Sequence, residues 1–223
     1  MAQQKSVGII KKKKWYQIMA PRLFDYPIAE TPAYDSKSLV GRAMYISLMN
    51  LTNDPKRQNM NIKFLVTSFT DNAANAEAIG YYITPSSLKR LIRRGADRVD
   101  DSIKCETIDN LKIKVKTFMI TRSIVKASIR THIRRVARDY IVKYAKKTSL
   151  VNLISDIVSY KLQSELRDIL KKVYPLRTIE IRSLELVKDP NDERTIVEIV
   201  KLMENTQKSE ELEDQAKSSE LKE

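Results

Sequence analysis

Residues 171–186 read KKVYPLRTIEIRSLEL, and this stretch decides where a helix gives way to a strand. A lysine-rich helical pattern runs into Tyr174-Pro175, where proline ends the helix because it has no backbone N–H to donate. Over residues 178–187 isoleucine and leucine then alternate with charged residues, which is the two-residue period of a strand. We expect this strand to bury its isoleucines and to turn Glu180 and Arg182 outward. A face of mixed charge suits a neighbouring protein, or the chain's own arginines, better than it suits phosphate.

Two helical patterns precede this strand. Over residues 150–172 apolar residues recur at helical spacing, and over residues 123–147 they form one continuous stripe. The stripe contains Ile129, Ile133, Val136, Ala137, Tyr140, Ile141 and Tyr144. The other side of the same helix is almost wholly basic, with Asp139 as its only acid. Its basic residues are Arg130, Arg134, Arg135, Arg138, Lys143, Lys146 and Lys147.

This helix face of one sign indicates an anionic partner. Like charges four residues apart destabilise a helix unless an opposite charge lies against them, and solvated faces normally mix signs. The phosphates of a nucleic acid supply such a charge. The alternative is that Arg134 and Arg138 pair with acids of the same chain, which makes them structural residues.

A set of strands is expected ahead of these helices. Residues 41–51 and 61–70 predict two strands joined by turn residues, and residues 78–83 predict a short third one. Thr84-Pro85 then opens a helix that runs to Arg94 and ends at Gly95. Four basic residues belong to this helix, namely Lys89, Arg90, Arg93 and Arg94.

Residues 98–107 and 110–121 form the clearest hairpin, closed near Asp109-Asn110. The second arm alternates, so Lys112, Lys114 and Lys116 share one face while apolar residues occupy the other. Residues on one face of a strand lie about 6.6 to 6.8 Å apart, a spacing that lets a lysine row follow a sugar-phosphate backbone. The alternative is an edge strand that its lysines protect from aggregation.

Both ends of the chain differ from its middle. Residues 1–14 form a basic arm that ends in four lysines, and residues 206–223 have the composition of an acidic, disordered tail. Residues 15–32 contain three prolines among large apolar residues, which predicts an irregular segment pinned across the body. Residues 191–205 have a helical pattern. We therefore expect one α+β domain over residues 15–205, between the arm and the tail.

The charge of the chain is large and unevenly distributed. The 223 residues carry a net charge of +13, yet residues 192–223 contain ten acids against five bases, a net charge of −5. Residues 1–191 therefore hold +18. A body with that excess repels itself unless a polyanion is present. Nucleic acid is accordingly the leading partner, and an anionic membrane surface is the second.

The residues that build catalytic, metal and cofactor sites are scarce. The single cysteine, Cys105, permits neither an internal disulfide nor a multi-cysteine zinc site, and it alternates with Ile103 as a core residue does. The single histidine, His132, sits among arginines without metal-binding neighbours. Asp100 and Asp101 are adjacent on a strand, so they point to opposite faces. We expect no catalytic residues, no metal and no cofactor.

Targeting and base-reading signals are also lacking in the sequence. No apolar run reaches the roughly 18 residues of a membrane span, and the N-terminal lysines are not followed by the apolar region of a signal peptide. Tyrosines are numerous, but no strand has the paired aromatic pattern of a single-strand RNA reader. The four glycines are scattered, so no phosphate-binding loop is present. We expect a cytoplasmic protein that contacts the backbone of a nucleic acid.

Four stretches of the chain together resemble one known family. They are KKKKWYQIMAPRLFD at residues 11–25, LVGRAMYISLMNLTND at residues 39–54, the arginine-rich helix, and KKVYPLRTIEIRSLELV at residues 171–187. Their order is similar to that in the archaeal and eukaryotic small-subunit ribosomal proteins of the S-three-A-e type, also called S-one-e. The resemblance covers residues 11–202, with Tyr174-Pro175-Leu176-Arg177 as its most specific part. The chain resembles an archaeal member, because eukaryotic members carry longer terminal extensions.

The resemblance implies a β-barrel-like core of antiparallel or mixed sheet flanked by helices. It further implies a structural role in the small ribosomal subunit, bound to its ribosomal RNA on the platform near the mRNA exit. Other small-subunit proteins would be neighbours, with mRNA nearby. The candidate RNA-binding residues are Lys11, Lys12, Lys13, Lys14, Trp15, Arg42, Lys89, Arg90, Arg93, Arg94, Lys112, Lys114, Lys116, Arg122, Arg130, Arg134, Arg135 and Arg138.

Two other functions compete with this one. The basic body also fits a free-standing RNA- or DNA-binding factor that is not part of the ribosome. An RNA-modifying enzyme is the third hypothesis, and the sequence offers no catalytic constellation for it.

Overall fold

The computed structural model describes residues 12–20, 24–70 and 73–187. Within these ranges the chain forms eight strands, five α-helices and two short 3-10 turns at residues 36–39 and 55–57. The strands are β1 (Lys14–Ala20), β2 (Phe24–Ala33), β3 (Ala43–Ser47), β4 (Met60–Thr70), β5 (Ala73–Ile83), β6 (Arg98–Glu106), β7 (Lys112–Thr121) and β8 (Leu176–Leu186). The helices are α1 (Leu48–Thr52), α2 (Pro85–Leu91), α3 (Ala127–Ala145), α4 (Leu150–Val158) and α5 (Lys161–Lys171).

All eight strands belong to one mixed sheet, with β5 as its hub. Along one edge β5 pairs with β4, and β4 pairs in turn with β3. The other edge of β5 is shared, because residues 73–75 pair in parallel with β1 while residues 80–82 pair antiparallel with β8. β8 continues to β7 and β6, and β1 continues to β2. β8 thus joins the β6–β7 hairpin to the rest of the sheet, and the predicted α+β class is confirmed.

The inner face of the sheet forms the core. Residues directly opposite each other in an antiparallel sheet point to the same face, so the register defines rows that cross it. One row passes through six buried residues, Ile46, Ile62, Tyr81, Leu184, Val115 and Ile103. α3 packs against β6, α4 against β5 and α5 against β8. The buried residues of these helices belong to the same apolar cluster as the row.

The strand predicted after Tyr174-Pro175 is confirmed as β8, and it contains a bulge. Lys116 of β7 pairs with Ser183, but the next residue of β7, Thr117, pairs with Ile181. Arg182 is therefore the extra residue, and a bulge of this kind redirects a side chain.

The prediction of an irregular segment over residues 15–32 is wrong. β1 and β2 form an antiparallel hairpin across this region. β2 lies at an edge, with β1 as its only strand partner in the described part of the chain. An edge strand tolerates proline where the backbone nitrogen faces solvent, and the hairpin register shifts where Met19 pairs with Pro27. The proline content of this segment alone therefore led to a wrong prediction of irregular structure.

Two predicted elements are interrupted. The strand expected over residues 41–51 ends at Ser47, where the chain turns into α1, and Asn53 then adopts a left-handed φ of 54°. The helix expected over residues 150–172 is divided into α4 and α5 at Tyr160, which has a φ of 62°. The sequence carries neither glycine nor proline at this break, so its apolar spacing continues across it.

Other elements match in kind and differ in length. β4 and the β6–β7 hairpin are confirmed, whereas the strand expected from residue 78 begins at Ala73. α2 ends at Leu91 and α3 begins at Ala127, so both helices are shorter than predicted. The helix expected over residues 191–205, the acidic tail and most of the basic arm lie outside the described residues.

Candidate nucleic-acid interface

The outer face of the sheet carries basic side chains in two adjacent rows. The first row passes through Tyr45, Lys63, Gly80, Glu185, Lys114 and Lys104. The second row passes through Ser47, Asn61, Tyr82, Ser183, Lys116 and Ser102. Glu185 is the one acid in these two rows. We call the twelve positions the outer rows, and they place lysines from β4, β6 and β7 on one surface.

The lysines of β7 lie as the alternation predicts. Lys112, Lys114 and Lys116 are exposed or half-exposed, while the residues between them are buried. β7 pairs with β6 on one side and with β8 on the other, so the interpretation of a lysine-protected edge strand is wrong. Lys104 of β6 lies directly opposite Lys114. Like charges in that position repel each other, and an anion bound between them removes the repulsion.

Lys116 has a partner within the outer rows. Its Nζ lies 3.3 Å from Oε1 of Glu185, and both side chains remain partly exposed. Exposed ion pairs of this kind contribute less than about 1 kcal/mol. The contact therefore orients the lysine without withdrawing it from a competing phosphate.

The basic face of α3 is divided between two roles. Arg138 forms a bidentate ion pair with Asp101 of β6, with its Nη2 at 2.8 Å from Oδ1 and 2.9 Å from Oδ2. Hydrogen bonding and charge attraction from Asp101 raise the pKa of Arg138. Arg134 donates from Nε to the main-chain oxygen of Asp100 at 3.1 Å. Arg138 thus pairs with an acid of the same chain, as the alternative interpretation requires, whereas Arg134 donates to a main-chain oxygen and not to a carboxylate. Both contacts tie α3 to β6.

The other two arginines of this group differ. The side chains of Arg130 and Arg135 make no hydrogen bond or ion pair within the part of the chain that the structure describes. Carboxylates of the neighbouring helices are engaged elsewhere, since Tyr144 donates to Oδ2 of Asp156 at 2.7 Å and Tyr140 donates to Glu165. These bonds hold α3 against α4 and α5, and they leave the excess charge of α3 in place.

The N-terminal candidates lie at the start of β1. Lys12, Lys13, Lys14 and Trp15 are all exposed, and 69% of Trp15 is accessible to solvent. Lys13 Nζ lies 5.2 Å from the ring centroid of Tyr34, a cation–π contact. Lys11 lies outside the described residues.

Arg42 has a structural role at the start of β3. Its Nη1 donates to Oγ1 of Thr31 at 2.6 Å and to the main-chain oxygen of Pro32 at 3.2 Å. Both acceptors belong to β2, so this guanidinium connects two parts of the sheet that are not paired directly. Candidates on other surfaces are exposed and lie apart from the outer rows, namely Lys89, Arg90, Arg93, Arg94 and Arg122.

Sequence reasoning missed four residues of this surface, Tyr45, Lys63, Tyr82 and Lys104, and it assigned the exposed Arg182 to a protein contact or to the chain's own arginines. A readable signal existed for Lys104, since the predicted hairpin places it opposite Lys114. No local signal existed for Tyr45 and Tyr82. They lie on β3 and β5, and only the pairing of both strands with β4 brings them together.

The expectation that Glu180 and Arg182 both face outward holds for Arg182 alone. Arg182 is exposed, whereas Oε2 of Glu180 is buried without a hydrogen-bond partner among the described residues. Burial raises the pKa of Glu180 to about 7, against a smaller lowering by Arg167. Burial, and then the charge of Glu180, raises the pKa of Tyr81 as well. The packing around this part of β8 covers the end of the Glu180 side chain. The alternation of the strand alone therefore gave the wrong exposure for Glu180.

The remaining polar candidates lie apart from one another. Burial raises the pKa of Cys105 to about 11, as expected for a core thiol. His132 is exposed, and the side chains of Asp100 and Asp101 pair with different arginines. Within residues 12–20, 24–70 and 73–187 no three acidic, cysteine or histidine side chains are grouped as metal ligands. No helix in those ranges has the length and apolarity needed to cross a membrane.

Comparisons with known proteins agree with this picture. The model of the Ribosomal S3Ae family matches residues 1–190. The small ribosomal subunit protein eS1 of Methanothermobacter thermautotrophicus is 33% identical over 181 residues, which cover 81% of this chain and 93% of the relative. The protein of the same name from Methanobrevibacter smithii is 34% identical, with 77% and 89% covered. That of Archaeoglobus fulgidus is 31% identical, with 87% and 96% covered. The chain therefore belongs to the Ribosomal S3Ae family.

Proposed function

We propose that this chain is a structural constituent of the small ribosomal subunit, acts in translation, and binds ribosomal RNA through backbone phosphates. The observation that carries the proposal is the set of lysines in the outer rows, where Lys63, Lys104, Lys114 and Lys116 face one acid, Glu185. The relatives are named small ribosomal subunit proteins. We therefore assign ribosomal RNA as the partner of this basic surface.

Geometry favours contact with phosphates at this surface. Lys104 and Lys114 lie on neighbouring strands, and strands are about 4.8 Å apart. Lys114 and Lys116 lie two residues apart on one strand, which separates them by about 6.7 Å. Phosphates along one RNA strand are spaced on a similar scale, so successive phosphates meet successive lysines. Arg130 and Arg135 of α3 add a second, unpaired basic surface to the same body.

We infer the finer placement from the family. The protein lies on the platform near the mRNA exit, with small-subunit proteins as neighbours and mRNA nearby, in the cytoplasm. Residues 15–205 act as one RNA-binding domain, and the arm of residues 1–14 extends its basic surface. The protein has a scaffolding role and no catalytic activity.

A charge-matched pair of variants tests the RNA surface. Lys104→Gln with Lys114→Gln removes two facing lysines of the outer rows, whereas Lys171→Gln with Lys172→Gln removes two exposed lysines at the end of α5. The first variant should weaken binding to a small-subunit rRNA fragment and make the slope of log K against log salt shallower. The change is about one unit for each lost phosphate contact. Equal losses in both variants would show that only net charge matters.

A second experiment separates the ribosomal role from its alternative. The full chain should co-sediment with small subunits through a gradient after a high-salt wash, and the Lys104, Lys114 variant should be released at lower salt. Retained affinity for RNA without co-sedimentation would favour a free-standing RNA- or DNA-binding factor.

A further inference from the structure

Two tyrosines converge on the outer face of the sheet. Tyr45 of β3 and Tyr82 of β5 project over β4 from either side, with ring centroids 5.4 Å apart and ring planes at 85°. Tyr45 is 59% exposed and so contributes little to the core. Lys63 of β4 lies between them in the register, with Nζ 5.6 Å from the Tyr45 centroid. A large aromatic ring is thus held in a defined position while more than half of its residue surface stays exposed.

A groove of about 530 Å³ begins at this aromatic pair and crosses to β8 and β7. Gly80 lies at its floor, where a Cβ atom would come 2.8 Å from the main-chain oxygen of Leu184. The absence of a side chain at Gly80 deepens the surface next to Tyr82. The groove is therefore built by the sheet itself and needs no loop to close it.

The groove is basic and has an unused hydrogen-bonding group. Lys63, Lys116 and Arg182 line it, against Glu185, which pairs with Lys116. Arg182 reaches the groove because it is the extra residue of the β8 bulge. Ser183 also lines the groove, and its buried Oγ has no partner among the described residues.

We propose that this groove binds an unpaired nucleotide of single-stranded RNA, with its base stacked on Tyr45 and its flanking phosphates on Lys63 and Arg182. The inference deepens the proposed function, on which it rests, by adding base stacking to phosphate contacts. Exposed aromatic rings beside a basic groove are the means by which proteins hold single strands, because every base has a face that stacks.

The test uses the full-length protein and an oligouridylate of about ten nucleotides with one central 2-aminopurine, whose fluorescence falls on stacking. Binding to the wild-type protein should quench this fluorescence. Tyr45→Ala should abolish the quenching and weaken affinity for the oligonucleotide about tenfold or more, since stacking on an aromatic ring has this effect. Tyr45→Phe keeps the ring and should keep both properties. Affinity for a blunt RNA duplex should be unchanged in both variants.

Tyr34→Ala is the matched control. Tyr34 is also exposed and also has a lysine over its ring, but it lies outside the groove. Its replacement should leave quenching and affinity unchanged. Equal losses in the Tyr34 and Tyr45 variants would overturn the assignment of the groove, as would an unaltered response of Tyr45→Ala. Because position 45 is exposed, thermal unfolding of Tyr45→Ala should match that of the wild type.

Two further outcomes count against the proposal. If quenching appears only after residues 206–223 are removed, the groove of the full chain holds its own acidic C-terminal segment. If Tyr45→Ala loses affinity for duplex RNA to the same extent, the tyrosine supports the phosphate surface and does not stack on a base. In either case co-sedimentation with small subunits is a separate measurement. The proposed function is therefore tested independently of the groove.

Discussion

Replacing Glu180 by glutamine should stabilise the protein at alkaline pH and change its stability little at acidic pH. One carboxylate oxygen of Glu180 is buried without a hydrogen-bond partner in the described structure. Burial raises its pKa from 4.5 to about 7, because a charged carboxylate loses its hydration there. Glutamine has nearly the same shape and carries no charge at any pH, so it removes the cost of ionisation.

The sign and size of the effect follow from proton linkage. The folded state binds the Glu180 proton more tightly than the unfolded state does, so stability is greatest below the unfolded pKa of 4.5. The contribution of the Glu180 proton to stability falls as pH rises, and this contribution is fully lost above the folded pKa of about 7. Each pH unit in this window contributes about 1.4 kcal/mol. The stability of Glu180→Gln relative to wild type should therefore rise with pH by at most about 3.5 kcal/mol.

Urea unfolding followed by circular dichroism measures this difference between about pH 5 and pH 8. The comparison is made between variant and wild type, because the titration of other carboxylates then cancels. Glu185→Gln is the control on the same strand, since Glu185 is exposed and pairs with Lys116. It should change stability by less than about 1 kcal/mol at every pH. If the Glu180→Gln difference is constant across this range, Glu180 is solvated and the reasoning is wrong.

Three further predictions concern stability and reactivity. Gly80→Ala should lower the free energy of unfolding by about 1–3 kcal/mol, because its Cβ would press on the oxygen of Leu184 where β5 meets β8; an unchanged urea midpoint would contradict this. Arg138→Ala should lower the melting temperature by removing the bidentate ion pair that ties α3 to β6. Arg135→Ala is the control and should leave the melting temperature unchanged. Equal melting curves for the two variants would argue against a structural role for the Arg138–Asp101 ion pair. The buried thiol of Cys105, with a pKa raised to about 11, should resist Ellman's reagent until urea unfolds the protein; rapid reaction of the native protein would place it at the surface.

Local patterns in the sequence were sufficient for much of the fold. The apolar stripe of α3 follows from the 3.6-residue period of a helix, and the β6–β7 hairpin follows from alternation around Asp109-Asn110. The end of the last helix and the start of β8 follow from proline chemistry at Pro175. Lys112, Lys114 and Lys116 were placed on one face for the same reason. Each of these features depends on residues close together in the chain, so each can be read without knowing the partners.

The charge excess and the family were also visible in the sequence. A body of residues 1–191 with a net charge of +18 predicts a polyanionic partner whatever its fold. The Tyr174-Pro175-Leu176-Arg177 stretch and its strand carried the resemblance to the family, and the family match over residues 1–190 confirms it.

Tertiary structure decided how these elements use one another. Tyr45 and Tyr82 meet only because β3 and β5 both pair with β4, and Arg138 finds Asp101 only because α3 packs on β6. Glu180 lies on a strand that alternates as predicted, yet the packing around β8 buries one of its carboxylate oxygens. In each case the deciding contact joins residues that are distant in the chain. Such contacts depend on strand order and register, which the two-residue period of a strand does not specify because every strand shares it.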